Sequence, residues 1–220
     1  MKAALAALLL IAAPAQARPV VVELFTSQAC SSCPPADALL ATLAKSPKIL
    51  PLSFDVGYWN SPAWADSFSL PGATARQGWY ATLRNSQQVY TPEAVVDGTA
   101  QFVGSNRPAI TAAIAAASAA PAGNVPIAVS GGAMITVSVS AGKGGATLWL
   151  FGYDATHTTH IGGGENSGAT LTEVNVVRSI SNLGVWTGQE MSMRMSHPAG
   201  QHIAVVLQAD NGAILAAAAQ

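Results

Sequence analysis

Apolar positions along the first half of the chain follow a mixed pattern of strands and helices. Val20–Phe25 is apolar at every position except Glu23, which is typical of a strand buried on both faces. One helix face is then indicated by apolar residues at the matching spacing, Ala36, Leu39, Leu40 and Leu43. Residues 50–56 predict a second strand, residues 89–103 a hairpin, and residues 107–119 a helix capped by Asn106. These elements predict an α/β domain over residues 18–120.

The pattern changes at Ala119–Asn124, which we interpret as a linker. Helix signals stop beyond it, and short strand-like segments alternate with Gly, Asn and Ser turns. They lie at residues 125–130, 133–140, 146–153, 171–181, 190–195, 203–208 and 214–217. Strands at such regular spacing predict a separate all-β, sandwich-like C-terminal domain over residues 124–220.

A long aromatic segment over about residues 57–88 interrupts the α/β pattern. It carries Trp59, Trp64 and Trp79 and predicts helical turns inserted into the basic plan. Its aromatic side chains either join the core or face a substrate. Trp59 is our candidate for a substrate contact.

The N-terminus has the features of a secretory signal peptide over residues 1–17. Lys2 is followed by an apolar run over residues 3–13 and by the small-x-small pattern of Ala15–Ala17. The run is too short to span a membrane. We therefore expect cleavage near Ala17 and a secreted or periplasmic protein, in a compartment where disulfides persist.

Charge and composition narrow the range of partners. Charged residues make up 10% of the chain, the formal net charge is −1, and there is no basic cluster. Binding to nucleic acid needs concentrated Lys and Arg, so no nucleic-acid partner is expected. Insertion into a membrane after removal of the leader is not expected either. The hydrophobic content of 50% supports a folded core rather than disorder, and the oligomeric state stays open.

The two cysteines of the chain, Cys30 and Cys33, lie between the first predicted strand and the first predicted helix. A strand, a Cys-x-x-Cys motif and an amphipathic helix in this order predict a thioredoxin-like domain. We expect the Cys30 sulfur to be exposed at the helix N-terminus, where free N–H groups and the helix dipole favour the thiolate. Cys33 is then placed to resolve a mixed disulfide formed at Cys30.

Two other interpretations of the cysteine pair stay open. One is an inert disulfide, although so short a ring restricts the unfolded chain only weakly. The other is half of a metal site, but all four histidines lie beyond residue 150 and there is no third cysteine. We predict no metal ligand and no diffusible cofactor, because the electrons of thiol–disulfide exchange reside on sulfur.

Three more residues are candidates for the same site. Thr91 and Pro92 precede a strand at the place where thioredoxin-like folds put a cis-proline facing the cysteines, so we predict a cis bond that presents backbone to a substrate. An ordinary trans proline at a strand start is the alternative. Glu23, if buried, could exchange a proton with Cys33 through water, whereas an edge position or a structural hydrogen bond is the plainer interpretation.

Three segments together resemble a family of secreted bacterial proteins. They are VVELFTSQACSSCPPADALLA, YTPEAVVDG with VGS close behind, and GENSGATLTEVNVVRSISNLGVWTG. The family is a domain of unknown function, number twelve-twenty-three, with a thioredoxin-like fold, and the resemblance spans essentially the whole mature chain. It implies a redox motif at Cys30, Cys33, Thr91 and Pro92. It also implies a second motif at Glu165, Asn166 and Arg178.

The chain departs from that family pattern at a few positions. Asp55, Gly57 and Asn60 stand where the family has His, Asp and Asp, and Gly163 stands where a basic residue is usual. If the family residues form a polar patch near the cysteines, part of that patch is absent here.

Two weaker metal patterns have plainer interpretations. Met191, Met193, Met195 and His197 alternate along one face of a strand, either as copper(I) ligands or as core residues, and we favour the core. His157 and His160 lie in a Gly- and Thr-rich segment without an evident third ligand, which favours a solvated loop.

The residues together predict an exported thiol–disulfide oxidoreductase acting on an unidentified protein or small-thiol client. In this hypothesis Cys30 attacks, Cys33 resolves, Pro92 holds the substrate backbone and Glu23 handles the proton. The alternative, from another class, is a non-enzymatic envelope or scaffold protein with a structural disulfide. The sequence leaves open whether the pair acts as oxidant, reductant or isomerase.

Overall fold

The computed structural model describes residues 18–120 and 125–220, so the predicted leader and most of the predicted linker lie outside the described residues. The helices in these ranges are α1 (Pro34–Leu43), α2 (Pro71–Leu83) and α3 (Arg107–Ala119), with a 3-10 turn at Gly57–Trp59. The strands are β1 (Val20–Thr26), β2 (Ile49–Asp55), β3 (Glu93–Val96), β4 (Ala100–Val103), β5 (Ile127–Gly131), β6 (Met134–Val139), β7 (Ala146–His160), β8 (Thr170–Trp186), β9 (Met191–Ser196), β10 (His202–Gln208) and β11 (Ile214–Ala219). Of the helices described, none has both the length and the apolar composition to cross a membrane.

One mixed sheet of eight strands runs through the molecule in the order β11-β10-β7-β8-β2-β1-β3-β4. β1 and β2 are parallel, and β3 is antiparallel to β1. A smaller antiparallel sheet has the order β5-β6-β9. Strands from both halves of the chain therefore belong to one structural unit.

The predicted division into a thioredoxin-like domain and a separate all-β domain is wrong. β8, from the second half, pairs in parallel with β2, from the first half, at Ser53 and Val176. β7 and β8, at 15 and 17 residues, are also longer than the strands predicted there. Residues 154–160, predicted as a loop around His157 and His160, instead continue β7. They pair with β8 through residue 160, with Thr158 opposite Thr172, and Thr favours strands.

Local predictions from the first half of the chain are confirmed. β1 is buried along its whole length, as a continuous apolar run requires. α1 begins with the two prolines in its first turn, where missing N–H groups cost nothing, and buries its apolar face. α3 is capped by Asn106, whose Oδ1 accepts from the Ala109 N–H at 3.2 Å.

Both faces of the large sheet are covered around β1. Consecutive residues of this strand point to opposite faces, and both sets are in the core. Val21 and Phe25 of β1 pack with α2, whereas Val22 and Leu24 point the other way and pack with α1 and α3. A third apolar cluster fills the space between β10 and the smaller sheet. A polar residue on a strand such as β1 is therefore buried and needs a partner inside the protein.

Candidate functional site

Cys30 and Cys33 form a disulfide bond between the end of β1 and the start of α1. Cys33 is the N-cap residue of α1, and its carbonyl accepts from the N–H groups of Ala36 and Asp37 at 2.8 and 3.2 Å. The residues described contain no group of three or more His, Cys, Asp or Glu side chains arranged to hold a metal ion. We call Ser27–Cys33 the cysteine turn.

The disulfide is buried, and the prediction of an exposed Cys30 sulfur is wrong. Cys30 and Cys33 are both 0% exposed, and the exposed surface of the turn belongs to Ser31 and Ser32 between them. The polar atom in contact with Cys30 Sγ is Ser32 Oγ, at 3.4 Å. A hydroxyl group, rather than a set of backbone amides, is thus the polar neighbour of this sulfur.

Several backbone N–H groups at the start of α1, where donors to the sulfur were expected, are absent or occupied. Pro34 and Pro35 carry none. The next two amides of α1 are bonded to the Cys33 carbonyl, and the Ser31 N–H donates to Glu165 Oε2 at 3.2 Å. The double proline that starts the helix therefore also removes two donors that could have stabilised a thiolate.

Thr91 and Pro92 lie beside the cysteine turn, and the predicted cis bond between them is confirmed. Ser32 Oγ donates to the Thr91 carbonyl at 3.5 Å. Trp59 Nε1 donates to Thr91 Oγ1 at 2.7 Å, which joins the 3-10 turn to this segment. The structure thus brings the candidate substrate contacts, Trp59 and Thr91, to one side of the turn.

Residues 161–169, which we call the hairpin tip, connect β7 to β8 and contact the cysteine turn. Asn166 Nδ2 donates to the carbonyls of Gln28 and Cys30, each at 2.9 Å. Glu165 accepts from Ser31, and hydrogen bonds to Ser31 hold the pKa of Glu165 below its usual range. Two residues of the second motif therefore bind the turn that carries the first.

The third residue of the second motif, Arg178, lies apart from the turn. Its guanidinium is 4.7 Å from the Phe68 ring centre, and its Nε is 3.6 Å from Asp154 Oδ2. His157 packs in the same group, with Nε2 2.7 Å from Asp154 Oδ2 and its ring 4.3 Å from Phe68. These contacts attach the inserted segment to β7 and β8.

Glu23 is buried as predicted from its strand, but its partner is Arg76 of α2 rather than a cysteine. Arg76 Nη2 donates to Glu23 Oε1 at 2.8 Å, and the Tyr80 hydroxyl donates to the same oxygen at 2.7 Å. Gln208 of β10 completes the group, with Oε1 accepting from Arg76 at 2.9 Å and Nε2 donating to Tyr80 at 2.8 Å. Sequence reasoning missed Arg76, because it lies in the aromatic segment, where no periodic pattern indicated a buried position.

Gln28 connects the cysteine turn to a second buried polar group, which the sequence did not reveal. Its backbone N–H donates to Asp66 Oδ2 at 2.8 Å. Its side-chain Nε2 donates to Glu173 Oε2 at 2.9 Å and to Thr159 Oγ1 at 3.3 Å. One residue of the turn is therefore bound to the inserted segment, to β7 and to β8.

Four buried carboxyl groups lie together behind Gln28, and we call them the acid cluster: Asp37, Asp55, Asp66 and Glu173. Thr26 Oγ1 donates to Asp37 Oδ1 at 2.9 Å. Asp55, at the end of β2, lies next to Glu173, and neither of its carboxyl oxygens receives a hydrogen bond from another described residue. The signal that could have found the cluster was Asp55, a charged residue ending an alternating apolar strand.

Protonation follows from the burial of these acids. Burial, with the charge of Glu173 adding to it, raises the pKa of Asp37 to about 8. Burial likewise raises the pKa of Asp55 well above its usual range, and that of Glu173 is raised as well. Two carboxyl groups hydrogen-bond only if one is protonated. We assign the shared proton to Asp55 and the charge to Glu173, which accepts from Gln28.

The other departures from the family pattern also have structural consequences. Asn60 Oδ1 accepts from the Asp66 N–H at 2.9 Å, which helps to place Asp66 in the acid cluster. Any side chain at Gly163 would clash with the carbonyl oxygen of Ala63, so this chain has no room for the usual basic residue. Gly57 donates its N–H to Thr74 Oγ1 at 3.1 Å.

The methionine strand faces the core. Met191, Met193 and Met195 pack against the apolar cluster between β10 and the smaller sheet, while Ser192 and Arg194 between them are exposed. His197 Nδ1 lies 2.8 Å from the carbonyl oxygen of Pro198. This packing agrees with the core interpretation of the pattern.

Comparisons with known proteins give a family and two similar structures. The family model described as "Protein of unknown function (DUF1223)" matches residues 21–208. The crystal structure of protein AGR_C_4864 from Agrobacterium tumefaciens is similar with a TM-score of 0.80 and 28% identity, over 93% of this chain and 94% of that one. HBP35 of Porphyromonas gingivalis has a TM-score of 0.61 and 12% identity, over 93% and 75% of the two chains, which is a similarity of fold alone. No curated protein matches the chain.

Proposed function

Because the chain belongs to the DUF1223 family and carries a buried Cys30–Cys33 disulfide, we propose that it is an exported thiol–disulfide oxidoreductase. The observation that carries the proposal is the disulfide itself, set in a polar turn at a strand–helix junction. So small a ring contributes little as a covalent staple, since it restricts the unfolded chain only weakly. Exchange chemistry is the better account of why both cysteines lie here.

The exchange needs only the two sulfurs and a client. A client thiolate attacks the Cys30 sulfur, the Cys30–Cys33 bond breaks, and Cys33 leaves as a thiolate that takes a proton. A second client thiol then displaces Cys30, so that the client becomes a disulfide and the protein holds two thiols. The same steps in reverse oxidise the protein. The Ser32 hydroxyl, whose oxygen lies 3.4 Å from Cys30 Sγ, can turn its proton from the Thr91 carbonyl to a Cys30 thiolate.

Client recognition is supported by the neighbours of the turn. The Thr91 carbonyl and the exposed residues Ser31 and Ser32 lie together, with Trp59 bonded to Thr91 behind them. This side of the turn offers backbone and hydroxyl groups to an extended protein client or a small thiol. Glu23 has no part in the proposal, because its carboxylate is bonded to Arg76 and Tyr80.

Access to the disulfide requires movement, because neither sulfur has exposed surface. The hairpin tip and Gln28 hold the turn by hydrogen bonds rather than by an apolar seal. Local opening that breaks a few hydrogen bonds is less costly than unfolding a packed core. The proposed exchange therefore proceeds from an open form of the turn.

The burial of both sulfurs also favours a second candidate, a non-enzymatic envelope protein with a structural disulfide. In that case the pair stays oxidised in a moderately reducing buffer and forms no mixed disulfide with a client. Both candidates share export, for which the N-terminal leader pattern is the support. Recovery of the mature protein, starting near residue 18, from the periplasm or the medium tests that part.

Trapping with Cys33→Ser tests the choice between the two candidates. The variant leaves Cys30 as a free thiol without its resolving partner, so mixed disulfides with clients accumulate in the exported fraction. The matched control is Cys30→Ser, which keeps one thiol but at the resolving position. We expect adducts with Cys33→Ser and few with Cys30→Ser. Equal, negligible trapping by both variants would favour the structural disulfide.

A further inference from the structure

A second feature of the cysteine turn concerns what holds it closed. Gln28 is the residue of the turn whose side chain reaches into the acid cluster, through the bond from Nε2 to Glu173. Opening of the turn must break this bond or move Glu173 with it. The charge state of the acids behind Gln28 is therefore coupled to access to the disulfide.

The cluster contains more hydrogen-bond acceptors than donors. Within the described ranges, no donor group reaches Oδ1 or Oδ2 of Asp55 or Oε1 of Gln28, and all these atoms are buried. A proton on Asp55 supplies a missing donor and lets Asp55 bind Glu173. Without that proton, two carboxylates face each other in a site shielded from water, which costs free energy.

We propose that the Asp55–Glu173 pair is a pH-sensitive switch on the cysteine turn. While the pair shares one proton, Glu173 stays in place and accepts from Gln28, and the disulfide is closed. When the pair loses that proton, the two carboxylates repel, Glu173 and Gln28 separate, and the turn opens. The biological use of the switch rests on the proposed oxidoreductase function, but the switch itself does not.

The groups around the pair decide the direction of the effect. Asp37 from α1 and Asp66 from the inserted segment are also acids, so they oppose a second charge on the pair. His157 of β7 is the basic group whose charge acts on Glu173, and it works in the other direction. With more acids than bases around the pair, loss of the proton destabilises the closed form, and opening increases as the pH rises.

Chemical reduction of the disulfide measures this opening without any client. A water-soluble phosphine attacks one sulfur, and water then releases the phosphine oxide and two thiols, which are counted by alkylation. The reference is an unfolded peptide with the same Cys-Ser-Ser-Cys sequence. Dividing the reduction rate of the protein by that of the peptide removes the pH dependence of the phosphine itself. We expect the ratio of the two rates to rise between about pH 5 and about pH 9. The rise should be about tenfold for each unit by which opening of the turn lowers the pKa of Asp55. A ratio that stays flat overturns the proposal.

Three variants separate the switch from general loosening of the fold. Asp55→Asn removes the shared proton and should give a slow ratio with a much weaker pH dependence than the wild type. Gln28→Ala cuts the connection between the turn and Glu173 and should give a fast ratio with an equally weak pH dependence. The exposed Asp210 supplies the control, and Asp210→Asn should keep the wild-type slope. Circular dichroism shows whether each variant is folded. A wild-type slope in Asp55→Asn overturns the switch even if client trapping succeeds, and failed trapping with an intact slope overturns only the proposed function.

Discussion

The protein buries charge at two places next to each other in one sheet, and the two are built in opposite ways. On β1, Glu23 is bonded to Arg76, with Tyr80 and Gln208 around them. Near the end of β2, the acid cluster gathers four carboxyl groups, and no Lys or Arg of the described residues forms an ion pair with any of them. One site balances its charge with a cation and the other with protons.

The difference separates a structural role from a pH-dependent one. The Arg76 guanidinium keeps its charge across the physiological range, so Glu23 has a cation beside it throughout that range. A cluster of acids without a cation changes its charge as protons leave. The acid cluster, which is the one bonded to the cysteine turn through Gln28 and Asp66, is therefore the place where pH acts on the site.

The largest expected effect comes from breaking the ion pair between Arg76 and Glu23. Arg76→Met leaves the buried Glu23 without its cation, which should lower the free energy of unfolding by about 3–5 kcal/mol. Urea denaturation at neutral pH measures it. The double variant Arg76→Met with Glu23→Gln removes the uncompensated charge and should recover much of the loss. A single variant as stable as the wild type would show that the pair is not a major structural contact.

Local features of the fold and site could be predicted from the sequence, because they depend on neighbouring residues. Short segments were enough to predict the first strand, the position of the cysteines before α1, the capped helix α3 and the Thr91–Pro92 cis bond. Family membership, now shown, followed from three such segments. What failed was the arrangement of the two halves, because the β2–β8 joint is a contact between residues more than a hundred positions apart.

The site could be predicted only in part for the same reason. The sequence identified the cysteines, Thr91 and the second motif, but burial of the sulfurs depends on a hairpin tip that arrives from the other half of the chain. Glu23 was recognised as a buried acid without a sign of its partner Arg76. The acid cluster draws its members from α1, β2, β8 and the inserted segment, and no periodicity connects those positions.

The next largest expected effect concerns Asp37, a buried acid of the cluster that has no cation among the described residues, unlike Glu23 in its ion pair with Arg76. Its folded pKa of about 8 lies above the ordinary value of 3.8, so the folded state binds more protons than the unfolded state between those values. Stability contributed by this group is present below the lower value and is lost as the pH rises toward about 8. Asp37→Asn keeps an oxygen for Thr26 and removes the titration. It should raise stability near pH 8 by about 2–4 kcal/mol relative to the wild type.

Thermal unfolding between about pH 4 and about pH 8 measures that difference. The wild type should lose stability over this range, and Asp37→Asn should lose less. Asp210→Asn is the matched control, because it removes an exposed carboxyl group of the same type. Parallel curves for the wild type and Asp37→Asn would contradict the assignment of a raised pKa to Asp37.

The smallest expected effect tests the contact that holds the turn without charge. Asn166→Ala removes two hydrogen bonds to the carbonyls of Gln28 and Cys30, worth about 1–3 kcal/mol together for opening of the turn. Phosphine reduction should become about fivefold to a hundredfold faster, by the same factor at every pH, because the amide does not titrate. Asn182→Ala is the control, since its side chain accepts only from the nearby Gly184 N–H. If the gain in reduction rate depended on pH, the hairpin tip and the acid cluster would act as one unit. The distinction between the neutral Asn166 contact and the protonated acid cluster would then fail.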